Sequence, residues 1–253
     1  MELTPLMFVI VCPMLFLAGM VDAIGGGGGL ISLPAYLFAG LPVHMAIATN
    51  KLSSSCGTAL ATWRFIRKGL VHFRLAVPSV IAAVMGSSLG ARLSLTVSET
   101  VMKYILLAVL PAAAFFVLNR RLFRNEGKHA AAADRRTLVV CIAAAFVIGM
   151  YDGFYGPGTG TLLIIAFTVF ARMTVESANG QAKVINLTTN ITSLTVFLLN
   201  GQVLFPLGLA GALCNMAGSW IGSGLAITKG AKIARPVILL VLLLLLAKIL
   251  FNF

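Results

Sequence analysis

The sequence predicts an all-α polytopic membrane protein built as two pseudo-symmetric, inverted repeats, with broken or re-entrant helices at glycine-rich motifs. Three observations carry that expectation. The composition is too poor in charge for a water-facing surface, apolar segments follow one another down the chain, and a set of motifs recurs in the same order in both halves.

Of the 253 residues, 59% are apolar and 10% are charged, against about a quarter charged in an average soluble domain. Such a chain cannot cover itself in water, and lipid is its natural solvent. Lys and Arg number 19 against 7 Asp and Glu, a net charge of +12. In a soluble protein that excess would point to nucleic acid. Here thirteen of the 19 basic residues fall in three short segments, Arg64 to Arg74, Arg120 to Arg136 and Lys229 to Arg235. Clustering between apolar stretches is the positive-inside pattern of cytoplasmic loops. No aromatic-interleaved basic motif accompanies it, so no nucleic-acid partner is expected. The four cysteines, Cys12, Cys56, Cys141 and Cys214, lie inside apolar stretches without a CxxC pair. They read as small buried hydrophobes rather than disulfides or metal ligands. The start Met1-Glu2-Leu3-Thr4-Pro5 has no basic region, so a cleaved signal peptide is not expected.

The apolar segments run at 5–25, 29–41, 45–63, 75–95, 101–118, 137–155, 158–171, 178–199, 204–227 and 236–252. A crossing helix needs about 20 residues, so the second and seventh read as half-helices, re-entrant pieces or tilted short helices. Gly19-Met20-Val21-Asp22 matches Gly149-Met150-Tyr151-Asp152. Lys51-Leu52-Ser53-Ser54 matches Asn186-Leu187-Thr188-Thr189, and Gly86-Ser87-Ser88-Leu89-Gly90 matches Gly218-Ser219-Trp220-Ile221-Gly222. The offsets stay between 130 and 135 residues. Two membrane repeats follow, 1–118 and 137–253, joined by a basic linker at 119–136. Equivalent loops differ in charge: Arg64 to Arg74 holds four basic residues, whereas Asn200 to Pro206 holds none. Basic loops face the cytoplasm, so the halves are expected in opposite orientations with both termini outside. Arg92, Lys103 and Lys248 fall on the wrong side in that scheme, and a parallel four-plus-four arrangement is the alternative.

Asp22-Ala23-Ile24 leads into five glycines, Gly25 to Gly29, and Asp152-Gly153-Phe154-Tyr155-Gly156-Pro157-Gly158-Thr159 is its counterpart. Each glycine costs a helix roughly 1 kcal/mol relative to Ala. Broken backbone at membrane depth is tolerated inside protein or against a water-filled cavity, and N–H groups opening a half-helix favour an anion. A single break would as readily be a hinge, but two at matching positions favour a binding site. Gly26, Gly27, Gly28, Gly158 and Thr159 are therefore candidates. No strand precedes the glycines and no Gly-Lys-Ser/Thr follows, which excludes a nucleotide loop.

The second pair of motifs is dense in amides, hydroxyls and one Lys each: Asn50, Lys51, Ser53 and Ser54 in the first half, Lys183, Asn186, Thr188 and Asn190 in the second. A cation in the bilayer is expensive and marks function by default. With these amides and hydroxyls, Lys51 and Lys183 can replace the hydration shell of an oxyanion. A lone Lys would more often snorkel to the interface, and hydroxyls often bond their own helix. The repetition favours the site. Asp22 and Asp152 could pair with Lys183 and Lys51, carry a coupling proton, or cap the following half-helix. Tyr151 and Tyr155 flank the second break, as cavity lining or as packing. Trp63 reads as an interfacial anchor and Trp220 as packing. His44, His72 and His129 show no metal spacing, and no hydrolytic or nucleophilic constellation is present. Neither an enzyme nor a cofactor or metal is expected.

Gly25 to Pro34, Ala46 to Ser54 and Trp63 to Gly69, with Tyr151 to Gly160 and Ala182 to Asn190 in the second half, resemble the TauE/SafE family of sulfite exporters over nearly the whole chain. The resemblance implies a multi-pass transporter of sulfite, organosulfonates or related sulfur anions in a bacterial inner membrane, with about eight membrane helices. The expected partners are a small anion and the lipid bilayer, with a homo-oligomer left open. Alternating access with the anion between the repeats is the expected mechanism, and an anion channel is the alternative.

Overall fold

The computed structural model describes residues 3–98, 100–101, 134–229, 232–233 and 236. These form eight helices: α1 (Pro5–Gly25), α2 (Gly29–Phe38), α3 (Val43–Arg67), α4 (Phe73–Thr96), α5 (Arg135–Phe154), α6 (Thr159–Val169), α7 (Val175–Leu199) and α8 (Phe205–Lys229). Eight of the ten apolar segments thus become helices. Apart from Val101 and Pro236, the segments at 101–118 and 236–252 lie outside the described residues, as does nearly all of the 119–136 linker.

The helices form two series of the same order. Lengths are 21, 10, 25 and 24 residues in the first half and 20, 11, 25 and 25 in the second. At 1.5 Å per residue α1 is about 31 Å long, a full hydrocarbon thickness, whereas α2 is about 15 Å. Four helices, α1, α4, α5 and α7, are long and apolar enough to cross a membrane. Helices α3 and α8 have the length but interleave polar residues, among them Lys51 in α3 and Asn215 in α8. Helix starts carry recognisable caps. The Asp134 carboxylate accepts the Thr137 N–H at 2.8 Å ahead of α5, and the Thr174 hydroxyl accepts the Ser177 N–H ahead of α7.

Hydropathy runs in stripes. Val77, Ile81, Met85, Leu89 and Leu93 recur every fourth residue of α4, and all are exposed. That outward face suits lipid contact. Inside, two apolar clusters each draw on both halves. One packs Ile24 and Leu75 with Leu163, Phe167 and Ile185; the other packs Leu15, Leu33 and Ile47 with Phe197 and Leu207. The halves are therefore interlocked rather than set side by side.

The closest crossings join α1 to α8 and α4 to α5. A Cβ added at Gly218 or Gly222 would stand 1.9 Å from the Phe16 carbonyl oxygen or 2.3 Å from that of Met20. At Gly86 or Gly90 it would stand 2.2 Å from the Phe146 oxygen or 2.0 Å from that of Met150. Without a strong hydrophobic drive between helices in lipid, such Gly-x-x-x-Gly faces let backbones approach for dispersion contact. The third repeated motif thus builds helix crossings rather than a site. Trp220, expected as packing, is instead 49% exposed. It stacks on Trp63 with ring centroids 6.4 Å apart, and the Arg64 guanidinium lies 4.3 Å from its centroid.

Candidate functional site

The two glycine-rich breaks meet. Helix α1 is capped by Gly26, whose φ of 80° suits a residue without a Cβ, and the Gly26 N–H donates to the Asp22 carbonyl at 2.8 Å. Gly158, with φ of 83°, opens α6. The Thr161 N–H donates to the Gly26 carbonyl at 3.2 Å, and the Thr161 hydroxyl donates to the Gly25 carbonyl at 2.7 Å. A Cβ at Gly26 would stand 2.2 Å from the Gly160 carbonyl carbon, so backbone touches backbone.

A helix end leaves four carbonyls without intrahelical partners, and in hydrocarbon each must be satisfied by protein. For α1 the second half supplies the donors. The Asn179 amide donates to Ala23 at 3.2 Å and to Ile24 at 3.0 Å. Thr161 takes Gly25, and the Lys183 ammonium donates to the Asp22 carbonyl. Asn179 is a residue that sequence reasoning missed. Its only signal was a buried amide one turn before Lys183.

Two buried ion pairs cross between the halves. The Lys51 Nζ donates to Asp152 Oδ2 at 2.7 Å and to Asn190 Oδ1 at 3.1 Å. Asp152 Oδ1 also accepts the Thr159 hydroxyl at 2.7 Å. The Lys183 Nζ donates to Asp22 Oδ2 at 2.7 Å. Lys51 and Lys183 are each the ninth residue of a 25-residue helix. Helix position therefore pairs Lys51 with Lys183, three residues away from the sequence match to Asn186. A slip of three keeps nearly the same helix face, which is why the motif match looked sound. Neither aspartate caps the half-helix that follows it. The caps of α2 and α6 are Gly28 and Gly158, with no side-chain cap bond. Each carboxylate sits in the last turn of its helix, where the dipole disfavours an anion, and a lysine of the other half answers it.

Between the breaks lies a cavity of about 20 Å³, room for roughly one water. Ten of the sixteen candidates line it: Asp22, Gly26, Asn50, Lys51, Ser54, Asp152, Gly158, Thr159, Asn186 and Asn190. Gly29, Thr58, Gly156 and Gly160 line it as well. Thr58 was within reach of a periodicity argument, since 51, 54 and 58 share one helix face. Gly27, Gly28, Ser53, Tyr155, Lys183 and Thr188 are not among the lining residues. Ser53 faces the other way and accepts the Tyr36 hydroxyl at 3.0 Å. Thr188 bonds back to the Val184 carbonyl at 2.9 Å. Lys183 is fully buried behind Asp22, and Tyr155 is buried in the apolar cluster around Leu33. Among the described residues no group of three His, Cys, Asp or Glu side chains is placed to hold a metal ion.

The arrangement is a polar pocket with one ammonium, two carboxylates and two half-helix starts, deep in an apolar bundle. Comparison with known proteins agrees with a membrane role. The sulfite exporter TauE/SafE family model matches residues 11–249. The chain is 35% identical over 226 residues to the "probable membrane transporter protein ORF9" of Sinorhizobium sp., covering 89% of this chain and 85% of that one. It is 33% identical over 252 residues to the "probable membrane transporter protein YfcA" of Escherichia coli K12, covering 98% and 91%. A "probable membrane transporter protein" of Haemophilus influenzae is 32% identical over 238 residues, covering 94% and 92%. No solved structure matches. A family match over nearly the whole chain, relatives of matching length and a bundle of apolar helices agree: the chain is a multi-pass membrane transporter and belongs to the TauE/SafE sulfite exporter family.

Proposed function

We propose that the protein carries small sulfur oxyanions or organosulfonates across a bacterial inner membrane by alternating access, with the anion held between two inverted repeats. The observation that carries this reading is the pocket where the two breaks meet, with the Lys51 ammonium in its wall and no apolar side chain lining it. The positive ends of α2 and α6 open onto it through Gly29, Gly158 and Thr159. A family of sulfite exporters points the chemistry to sulfur anions.

Reciprocal pairing supports the repeat. Asp22 of α1 meets Lys183 of α7, and Asp152 of α5 meets Lys51 of α3. That exchange is what a two-fold relation between the halves produces, and the opposite loop charges favour an inverted one. A void near one water in size cannot hold a sulfonate, so the halves must part for the anion to enter. The incoming anion then takes donors of Lys51 that Asp152 and Asn190 now occupy. The same narrowness favours a carrier over a channel, which needs a water-filled path.

The test is counterflow of ³⁵S-sulfite and of organosulfonates in proteoliposomes. Uptake should saturate and should fall at least about tenfold in Lys51→Ala, a loss expected when a desolvated charge partner is removed. Undiminished transport by correctly inserted Lys51→Ala protein would refute the assigned role.

A further inference from the structure

Loading the pocket sets two anions against one ammonium. Among the described residues the charged side chains of the pocket wall are Asp22, Lys51 and Asp152. Asp22 is answered from behind by Lys183 at 2.7 Å, and Lys183 is not part of the wall, so the cargo does not reach it. Lys51 is the ammonium that the cargo meets, and it already answers Asp152 at 2.7 Å. The helix ends leave this count unchanged. The starts of α2 and α6 and the ends of α1 and α5 reach the same pocket, at Gly29, Gly158, Gly26 and Gly156. Their partial charges, about half a unit each and of opposite sign, offset one another. The empty site is thus neutral. A bound monoanion leaves it with one negative charge in excess, whether the anion shares Lys51 with Asp152 or displaces it.

Two like charges that share one buried site do not both stay ionised. A sulfonate is the conjugate base of a strong acid and keeps its charge, so the carboxylate is the group that gives way. We propose that Asp152 is the coupling group of the carrier: each sulfonate that binds is accompanied by one proton, and Asp152 takes it. The inference rests on the anion reading above and supplies its coupling ion. The step balances. A proton from water bonds to the Asp152 carboxylate, the Lys51 ammonium keeps its own protons and turns to the sulfonate, and the loaded site is neutral again. On release Lys51 reclaims Asp152 and the proton leaves. The described groups facing Asp152 offer no stronger base. They are Lys51 from α3, Asn190 of α7 through the shared lysine, and the Thr159 hydroxyl of α6. Helix α4 packs behind Gly153 with Ser87 and Ala91, which carry no charge. On α5 the Tyr151 hydroxyl donates to the Pro157 carbonyl at 2.6 Å. Asp22 of α1 keeps Lys183, which the cargo does not touch.

The experiment titrates methanesulfonate into the purified full-length protein in nanodiscs, by calorimetry in buffers of different ionisation heat, which counts the protons. Methanesulfonate keeps its single charge throughout, so any proton taken up is taken by the protein. Wild-type protein should take up close to one proton per anion near neutral pH, and its affinity should rise by up to about tenfold for each unit that the pH is lowered. Asp152→Asn should bind without proton uptake and with a flat pH profile. Uptake by that variant equal to wild type overturns the assignment to Asp152. If the variant does not fold, the infrared difference spectrum of wild-type protein decides: methanesulfonate should bring up the C=O band of a protonated carboxyl, and its absence overturns the proposal. Wild-type binding with no proton taken up, or binding that requires sodium in place of a proton, overturns the coupling and leaves the anion site standing. Failure of methanesulfonate to bind at any pH overturns the anion reading itself.

Discussion

The Lys51–Asp152 pair lends itself to a double-mutant cycle in which stability and transport separate. Both side chains are 2% exposed. In Lys51→Met, the Asp152 carboxylate keeps only the Thr159 hydroxyl as a side-chain donor. In Asp152→Asn, the Lys51 ammonium keeps neutral acceptors alone. Breaking a buried pair by removing one partner costs about 3–5 kcal/mol, because the survivor is an uncompensated charge in low dielectric. With both replaced, no charge is stranded. The main residual loss is the Asn190 carbonyl, which gives up Lys51, at about 1–3 kcal/mol for an unsatisfied buried acceptor. The two single costs would add to about 6–10 kcal/mol, so with the residual loss subtracted the pair should show a coupling of about 6 kcal/mol. Equilibrium unfolding of the detergent-solubilised protein, followed by helical circular dichroism, measures each corner. The double variant should be more stable than either single one and still fail to transport, since its ammonium is gone. Additive costs would show that the two side chains do not meet in the folded protein, and transport by the double variant would remove Lys51 from the site.

Two further outcomes follow from the geometry. Gly26→Ala places a Cβ 2.2 Å from the Gly160 carbonyl carbon at a φ of 80°; the left-handed backbone and the overlap together should cost about 2–5 kcal/mol. Gly201→Ala, with a φ of 66° and nothing within 4 Å, should cost only the about 1–2 kcal/mol of the backbone, and equal melting shifts for the two would refute contact between the breaks. Hydrogen bonds from Thr137 hold the exposed Asp134 carboxyl below its usual value. A depressed carboxylate contributes stability that is present above its unfolded pKa and lost as pH falls through the folded one. Protection of the amides at the start of α5, taken relative to their intrinsic exchange rates, should therefore fall under acid in wild-type protein and be insensitive to that change in Asp134→Ala.

Much of the molecule was legible because hydropathy and backbone propensity are local. An apolar run reports its own helix, so 5–25 in the sequence is α1 in the structure. Five glycines report a break without reference to any partner. Lys, Asn and Thr in apolar surroundings announce their cost wherever the helix turns. Facing is another matter. Each residue turns a helix by about 100°, so Ser53 and Ser54 are adjacent in sequence yet only Ser54 reaches the pocket. Lys183 looks equivalent to Lys51 in sequence, but it is spent on the carbonyl and the carboxylate of Asp22.

By itself, then, the chain determined that it lives in lipid, where its helices lie to within about four residues at each end over the described residues, where two of them must break, and which polar residues sit at a depth that demands a reason. Only the tertiary structure decided that each aspartate meets the lysine of the other half, that Thr161 and Asn179 complete the end of α1, and that the Gly86 and Gly218 motifs close helix crossings. Those are partnerships between residues at least sixty positions apart. Each is set by which faces pack, and burial leaves a charge or a carbonyl no choice but the partner that packing brings.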